Sequence, residues 1–382
     1  MRRSTLSSLL MCVALLSGCS SLNSLNPFST AAPKPAELVA FQATAALRPI
    51  WQARVGGAGG FAFQPAVVGE DVYAAGHDGS VARIEGGRSV WRTSVGQRLS
   101  AGVGSDGQLA AVVTTAGEVV AIDATTGAER WRSPVGAEVL APPAVAGAVV
   151  VVRASDGRLM GFDAVDGKRR WTYQRPVPAL TLRKAAGMTV QDRVAVVGYP
   201  GGKLVAINVD NGGPMWELTV ATPRGVTELE RITDIAGTPI LWRNEVCAVA
   251  YQGRAGCFDL SNGSALWSRE FSSSVGMDRD TRFVFITDAS NALHGLDAFS
   301  GAQVWKLDSM ARRNVSRPLV VGDFVVIGDV EGYVHLIERE TGRFAARTRA
   351  DSSAIAADPL SLGGQRFVIQ TRDGGIHAYE AD

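Results

Sequence analysis

The chain after residue 46 is predicted to be all-β, and three observations indicate an eight-bladed β-propeller with four-stranded antiparallel blades. Short valine-rich apolar runs bounded by glycine and aspartate occur throughout, and helical periodicity is nearly absent. One short motif recurs about every 40 residues, a period typical of propeller blades. An additional tryptophan precedes the first copy of the motif. The three observations together predict a closed ring of blades.

The motif is an acidic or amide residue, followed by a glycine four residues later and a tryptophan eight residues later. Asp123, Gly127 and Trp131 form one full copy. With the incomplete copies included, the acidic or amide position falls at Glu85, Asp123, Asp163, Asn208, Asp259, Asp297, Glu338 and Glu380. The glycine allows a tight hairpin turn, the aspartate accepts hydrogen bonds from that turn, and the tryptophan fills the space between blades. Eight copies predict eight blades.

The two ends of the repeat region predict how the ring closes. The last copy stops after Glu380, before its glycine and tryptophan. Trp51, in contrast, has no acidic or amide residue at the motif position eight residues before it. We expect the strand around residues 50–55 to complete the last blade. Such pairing hides two sheet edges that would otherwise stay open.

The N-terminus reads as a secretion signal. Arg2 and Arg3 precede an apolar run over residues 6–16, which is too short to span a bilayer. The run ends in Leu-Ser-Gly-Cys19, which resembles a bacterial lipobox; an ordinary secretory signal is the alternative. The predicted organisation is a lipoprotein signal peptide (1–18), a flexible tether lipidated at Cys19 (19–46) and the propeller (47–382). Ser20 after the cysteine implies an outer-membrane lipoprotein facing the periplasm.

Composition limits the remaining possibilities. The formal net charge of +1 argues against nucleic-acid binding, and no other segment is apolar for 18 consecutive residues. Cys247 and Cys257 flank a hairpin turn at residues 251–253, which would place them opposite each other within disulfide reach. A disulfide or two separate buried thiols are both compatible with this spacing.

The sequence shows no catalytic constellation, and we expect no catalytic residues, no cofactor and no metal. His294, His335 and His377 share one position in three successive copies of the motif. Equivalent positions of stacked sheets lie roughly 10 Å apart, whereas zinc needs nitrogens at about 2.1 Å. The sequence also lacks a Gly-x-Ser-x-Gly turn, a phosphate-binding loop and a His-Glu-x-x-His motif.

The Ala-x-Asp-x-x-Thr-Gly-x-x-x-Trp segment at residues 121–131 resembles the repeat of quinoprotein-type propellers. One branch of this resemblance is the quinone-dependent dehydrogenases, which implies a periplasmic oxidoreductase. That branch has adjacent cysteines over the quinone, and this sequence has no Cys-Cys pair. The other branch is the BamB family of lipoproteins, whose resemblance covers nearly the whole chain. It implies a non-catalytic scaffold that assists folding and insertion of outer-membrane β-barrel proteins.

The BamB resemblance also implies a binding surface. In that family two neighbouring loops contact BamA, the barrel-forming partner, and motif match carries these contacts to Leu180, Leu182, Arg183 and Asp234. The family's second acid corresponds to Ala236, which weakens the expected charge contact. Unfolded outer-membrane proteins are further expected partners, through pairing with sheet edges. A propeller that binds another envelope protein is the remaining alternative.

Overall fold

Antiparallel strands joined by tight hairpins build the sheets of this protein, in a computed structural model that describes residues 34–382. The expected signal peptide, Cys19 and the tether up to residue 33 lie outside the described residues. Within residues 34–382 the secondary structure consists of 32 strands in eight four-stranded antiparallel sheets, without a helix. That part of the chain accordingly contains no helix long and apolar enough to cross a membrane.

The strands follow one another in chain order within blades 1 to 7. After β1 (Leu47–Arg54), blade 1 contains β2 (Ala66–Val68), β3 (Asp71–Ala75), β4 (Ser80–Glu85) and β5 (Arg88–Ser94). Blade 2 contains β6 (Gly104–Ser105), β7 (Leu109–Val113), β8 (Glu118–Asp123) and β9 (Glu129–Pro134). Blade 3 contains β10 (Ala144–Ala146), β11 (Val149–Arg153), β12 (Arg158–Asp163) and β13 (Arg169–Gln174). Blade 4 contains β14 (Met188–Gln191), β15 (Val194–Tyr199), β16 (Lys203–Asn208) and β17 (Pro214–Thr219).

The second half of the ring repeats this pattern. Blade 5 contains β18 (Ile240–Trp242), β19 (Glu245–Val249), β20 (Gly253–Asp259) and β21 (Ala265–Phe271). Blade 6 contains β22 (Met277–Arg279), β23 (Phe283–Thr287), β24 (Leu293–Asp297) and β25 (Gln303–Leu307). Blade 7 contains β26 (Leu319–Val321), β27 (Phe324–Gly328), β28 (Tyr333–Glu338) and β29 (Phe344–Arg349). Blade 8 contains β30 (Leu360–Gly363), β31 (Arg366–Gln370), β32 (Gly375–Ala381) and, as its outer strand, β1.

The first strands of neighbouring blades contact one another around the whole ring and surround its centre. The second and third strands are almost entirely buried, because both of their faces pack against the adjacent blades. The hydrophobic core is therefore a series of layers between sheets, each shared by two blades. This architecture confirms the predicted eight-bladed propeller.

Strand β1 closes the ring, as the sequence predicts. It pairs antiparallel with the last strand, β32, from Leu47 opposite Ala381 to Arg54 opposite Gly375. The observed strand begins three residues earlier than residue 50. Trp51 of this strand packs over blade 1, where a Cβ added to Gly87 would lie 2.7 Å from the Trp51 Cβ. The closing strand therefore joins the last blade to the first.

The repeated tryptophans fasten each blade to the next one. Five indole nitrogens donate hydrogen bonds of 2.7–2.9 Å to carbonyl oxygens of the following blade; they belong to Trp91, Trp131, Trp171, Trp267 and Trp305. Each of these rings also covers the motif glycine of the following blade. At Gly301, for example, an added Cβ would lie 2.4 Å from the Trp267 ring. The motif glycine is therefore required both for its φ of +66° and for the space.

Two junctions between blades have no tryptophan packed over a motif glycine of the next blade. Between blades 4 and 5, Trp216 is only half-buried, and Gly263 faces Leu218, with an added Cβ 3.7 Å away. An open groove of 580 Å³ lies outside this junction, lined in part by Phe258 and Phe271. Between blades 7 and 8, Ala346 occupies the tryptophan position. The N-terminal segment covers that second junction.

Residues 36–46, which belong to the expected flexible tether, lie along blade 7. The Phe41 ring stacks on Phe344 with centroids 5.4 Å apart, and the Arg347 guanidinium lies 5.0 Å from the Phe41 centroid. The Thr44 amide donates to the Ala345 carbonyl at 3.0 Å. This part of the segment is held against the outer strand of the blade, and Ala45 and Leu47 pack against the core between blades 7 and 8.

A pair of glycine substitutions tests the tryptophan fastening. Gly301 and Gly263 occupy the same motif position with φ of +66° and +71°, but only Gly301 lies under a tryptophan. Gly301→Ala is expected to lower the free energy of unfolding by about 1–3 kcal/mol more than Gly263→Ala, because the added methyl overpacks the junction. Thermal and denaturant unfolding of the two variants measure the difference. Equal losses would show that the tryptophan contact does not require a glycine.

Candidate partner-binding loops

The two longest connections between blades lie next to each other in the ring. The first loop (residues 175–187) joins blade 3 to blade 4, and the second loop (residues 220–239) joins blade 4 to blade 5. The long gaps between motif copies in the sequence fall at these two connections. Leu180, Leu182 and Arg183 are in the first loop, and Asp234 is in the second.

A buried carboxylate links the two loops. The Leu182 amide donates to Asp234 Oδ2 at 2.6 Å, and the Gly201 amide of blade 4 donates to Asp234 Oδ1 at 3.4 Å. Asp234 is only 4 % exposed, and this burial raises the pKa of its carboxyl group above the usual range. The backbone donors and the nearby Arg153 oppose that shift by stabilising the ionised form. Asp234 therefore supports the first loop from beneath.

The first loop presents an apolar and cationic surface. Leu180 is 43 % exposed, Leu182 is half-buried and the Arg183 side chain is 63 % exposed. Arg183 forms an ion pair with Glu138 of the connection between blades 2 and 3, with 3.3 Å between Nε and Oε2. Its guanidinium also lies 5.9 Å from the centroid of the Phe61 ring. The leucines and the guanidinium are thus available together on a supported loop.

Ala236, at the position of the second acid, is buried and contributes no charge. It lines a cavity of 290 Å³ at the centre of the ring, together with Lys184 and Asp358. The following residues, Gly237 and Thr238, line the same cavity. Within residues 232–238 of the second loop, Asp234 is therefore the only charged side chain.

The tip of the second loop carries exposed apolar residues that the sequence reasoning missed. Val226 is 89 % and Leu229 67 % exposed. The Thr227 hydroxyl accepts from the Glu230 amide at 3.3 Å, and the Glu230 carboxylate accepts from the Thr227 amide at 3.0 Å. This reciprocal arrangement is a capping box, and its Thr-x-x-Glu pattern is visible in the sequence. It holds the turn that displays Val226 and Leu229.

Cys247 and Cys257 lie opposite each other in neighbouring strands and form a disulfide, with Cα atoms 4.1 Å apart. Glu245 is close to both sulfur atoms but forms an ion pair with Arg279. Because the sulfurs are bonded to each other, this group does not offer two thiolates to a metal. The disulfide cross-links β19 to β20 in blade 5, the blade that follows the second loop.

The three histidines in register each pair with a separate carboxylate. The distances from Nε2 to the carboxylate oxygen are 2.9, 3.0 and 3.3 Å, for His294 with Asp288, His335 with Asp329 and His377 with Asp351. In the second pair, Arg347 Nε donates to His335 Nδ1 at 3.0 Å, which places the imidazole proton on Nε2. Burial lowers the pKa of His335, so the ring stays neutral near pH 7. The histidines therefore act in separate blades as parts of the packing.

The fold is an eight-bladed propeller with quinoprotein-type repeats, and its two longest loops lie side by side between blades 3 and 5. The sequence profile of the family described as outer membrane protein assembly factor BamB matches residues 77–307 and 290–382. The chain is 43 % identical over 364 residues to the outer membrane protein assembly factor BamB of Bordetella pertussis, covering 94 % of this chain and 93 % of that protein. The chain belongs to the BamB family.

Solved structures agree with this assignment. The crystal structure of BamB from Moraxella catarrhalis is similar with a TM-score of 0.81 at 25 % identity, covering 88 % of this chain and all of that one. The quinohemoprotein alcohol dehydrogenase of Comamonas testosteroni has a TM-score of 0.70 at 14 % identity, covering 87 % of this chain and 76 % of that one. The second likeness shows a shared propeller fold only.

Substitutions at Asp234 test its role as a support. Asp234→Ala removes the acceptor of the Leu182 amide and is expected to cost about 1–3 kcal/mol of unfolding free energy and to speed hydrogen exchange in the first loop. Asp234→Asn is the matched control, because its amide oxygen can still accept from Leu182 and its burial carries no charge. Chemical unfolding and amide exchange measure both effects. Unchanged exchange at Leu182 in the alanine variant would contradict the supporting role.

Proposed function

We propose that this protein is a non-catalytic scaffold of the outer-membrane protein assembly complex that binds the periplasmic domains of BamA and assists folding and insertion of β-barrel proteins. The observation that supports this most is the hydrogen bond from the Leu182 amide to Asp234, which holds Leu180, Leu182 and Arg183 on one surface. Arginine is enriched among the residues that dominate protein interfaces, and the exposed Leu180 adds apolar surface in the same loop. A preformed loop also loses less entropy on binding.

The proposal places the protein at the outer membrane, anchored by a lipid on Cys19 and facing the periplasm. The lipobox-like sequence before Cys19 supports the anchor. The disulfide between Cys247 and Cys257 supports an oxidising compartment, because such bonds persist in the periplasm and are rare in the cytosol. A lipid on a tether holds the propeller near the membrane without a spanning segment.

We propose that the protein catalyses no reaction. Its similarity to the B. pertussis assembly factor covers most of both chains, whereas its likeness to the dehydrogenase is one of fold. Incoming strands of unfolded outer-membrane proteins would pair with the outer edges of blades, as extended peptides do with exposed sheet edges. The open groove between blades 4 and 5 borders Thr219 at the end of β17.

Two substitutions in the first loop test the binding surface. Leu182→Ala and Arg183→Glu are each expected to weaken binding to the periplasmic region of BamA from the same bacterium at least ~10-fold, the usual effect of losing an interface anchor. Val165→Ala serves as the control, because Val165 is 81 % exposed in an outer turn of blade 3, outside the two loops. Surface-immobilised binding with the mature chain in detergent measures the affinities, and circular dichroism verifies folding.

Three outcomes separate the possibilities. Loss of binding in the two loop variants, with Val165→Ala unchanged, supports the partner and the surface. Binding that all variants retain would move the interface elsewhere on the propeller. An unmodified chain that does not bind would remove BamA as the partner and leave a lipoprotein scaffold with another envelope protein as its target.

A further inference from the structure

Residues 36–46, here called the N-terminal strap, are held to blade 7 and its neighbouring connection by hydrogen bonds along their length. At the start of the strap, Arg313 Nη1 donates to the Ala36 carbonyl at 2.6 Å. Further along, Arg347 Nη1 donates to the Val39 carbonyl at 3.0 Å. Near its end, the strap pairs with the outer edge of β29 through backbone hydrogen bonds. The strap is therefore a docked segment whose contacts can be identified one by one.

The middle contact of the strap depends on a buried histidine. Arg347 Nε donates to Nδ1 of His335 at 3.0 Å, and His335 is completely buried. The same guanidinium lies 5.0 Å from the centroid of the Phe41 ring and donates to Val39. One arginine side chain thus links two strap residues to the core of blade 7.

The charged groups packed around His335 are Asp329, Arg313 and Arg347, and Glu331 pairs with Arg313 beside them. Asp329 Oδ2 accepts from His335 Nε2 at 3.0 Å and from Arg313 Nε at 2.7 Å. Because Nδ1 accepts from Arg347 while Nε2 donates to Asp329, the imidazole is neutral in this arrangement. Burial lowers the pKa of His335, the two guanidinium groups lower it further, and Asp329 opposes them.

A second proton on His335 is incompatible with the Arg347 contact. Nδ1 would then be a donor facing the Nε donor of Arg347, and two positive charges would be adjacent. Arg313 is completely buried and bound to two carboxylates, whereas Arg347 is half-buried in the outer strand of the blade. Arg347 is therefore the side chain that can move away, and the strap loses its middle contact when it does.

We propose that the N-terminal strap is a pH-sensitive strap, docked on blade 7 while His335 is neutral and released when His335 takes up a proton. Since docking holds the pKa of His335 below its ordinary value, docking is strongest above that ordinary value and weakens as the pH falls below it.

Release of the strap changes the surface and the reach of the protein. It uncovers the Ala345 carbonyl, which accepts from the Thr44 and Ala45 amides in the docked state, and so opens the outer edge of β29. It also adds residues 36–46 to the chain between Cys19 and the ring, which is up to roughly 35 Å of extended backbone. The gain in reach rests on the lipid anchor proposed above, whereas the switch itself rests on the contacts of His335.

Amide hydrogen exchange of the mature chain at about pH 7.5 and about pH 5 tests the switch. We expect the protection factors of Thr44 and Ala45, corrected for the intrinsic effect of pH, to fall at least ~10-fold at the lower pH, the effect of one unit of pKa difference. Amides of β27 and β28 should stay protected. Constant protection of the strap, or equal loss throughout blade 7, would overturn the proposal.

His335→Gln tests the histidine as the sensor. A glutamine amide can still accept from Arg347 and donate to Asp329, but it does not titrate, so the strap should stay protected at both pH values. His294→Gln is the matched control, because His294 occupies the same motif position in blade 6 and contacts Asp288 and Gln303 rather than the strap. The control should keep the pH-dependent loss of protection. The same loss in His335→Gln would exclude His335 as the sensor.

Phe41→Ala tests the coupling without a substitution in the core. If protonation of His335 releases the strap, then loosening the strap must raise the pKa of His335 toward its ordinary value, because such coupling is reciprocal. Titration of the histidine ring protons by NMR measures this pKa, with His294 as the internal reference. An unchanged His335 pKa in this variant would contradict the switch. Neither measurement uses BamA or a membrane, so a failure of the proposed function would leave both results interpretable.

Discussion

The pairing of β1 with β32 is the constraint on which the rest of the structure depends. Without it, blade 8 would have three strands, and the outer edge of β32 would be unpaired. The same strand places Trp51 over Gly87 and so joins the last blade to the first. Because a closed ring fixes each blade relative to its neighbours, the loops between blades have defined positions.

The contact between the two long loops, at Asp234, depends on this rigidity. Burying the Asp234 carboxylate costs free energy, and its raised pKa reflects that cost. Backbone amides of the first loop and of blade 4 offset it with hydrogen bonds. The carboxylate can make these bonds only if blades 4 and 5 hold their spacing, since the second loop is attached to both. The leucines and Arg183 of the first loop are in this way positioned by the fold.

The repeat could be read from the sequence because its chemistry is local. An aspartate, a glycine and a tryptophan at fixed spacing specify one hairpin and one contact, so the number of blades and the closing strand around Trp51 followed from counting. The supporting role of Asp234 could not be read in this way, because its carboxylate meets the Leu182 amide 52 positions away in sequence. The same holds for Phe41, which looks like part of a polar linker until Phe344 is placed beside it.

A cavity of 250 Å³ beside the first loop, lined by Arg153 and Tyr199, shows the same limit. Arg153 and Tyr199 end two strands in different blades, and their sequence neighbours are ordinary core residues. Only the folded structure brings these two residues to the lining of one cavity. Local sequence patterns therefore indicate the scaffold, whereas the chemistry of the surface depends on contacts between distant residues.

Amide hydrogen exchange of the mature chain, alone and with the periplasmic region of BamA, tests the proposed scaffold role most directly. Binding at the two loops should slow exchange at residues 178–187 and 222–236 and leave blades 6 to 8 unchanged. Protection confined to blades 6 to 8, or none at saturating BamA, would contradict a function based on the loops that Asp234 joins.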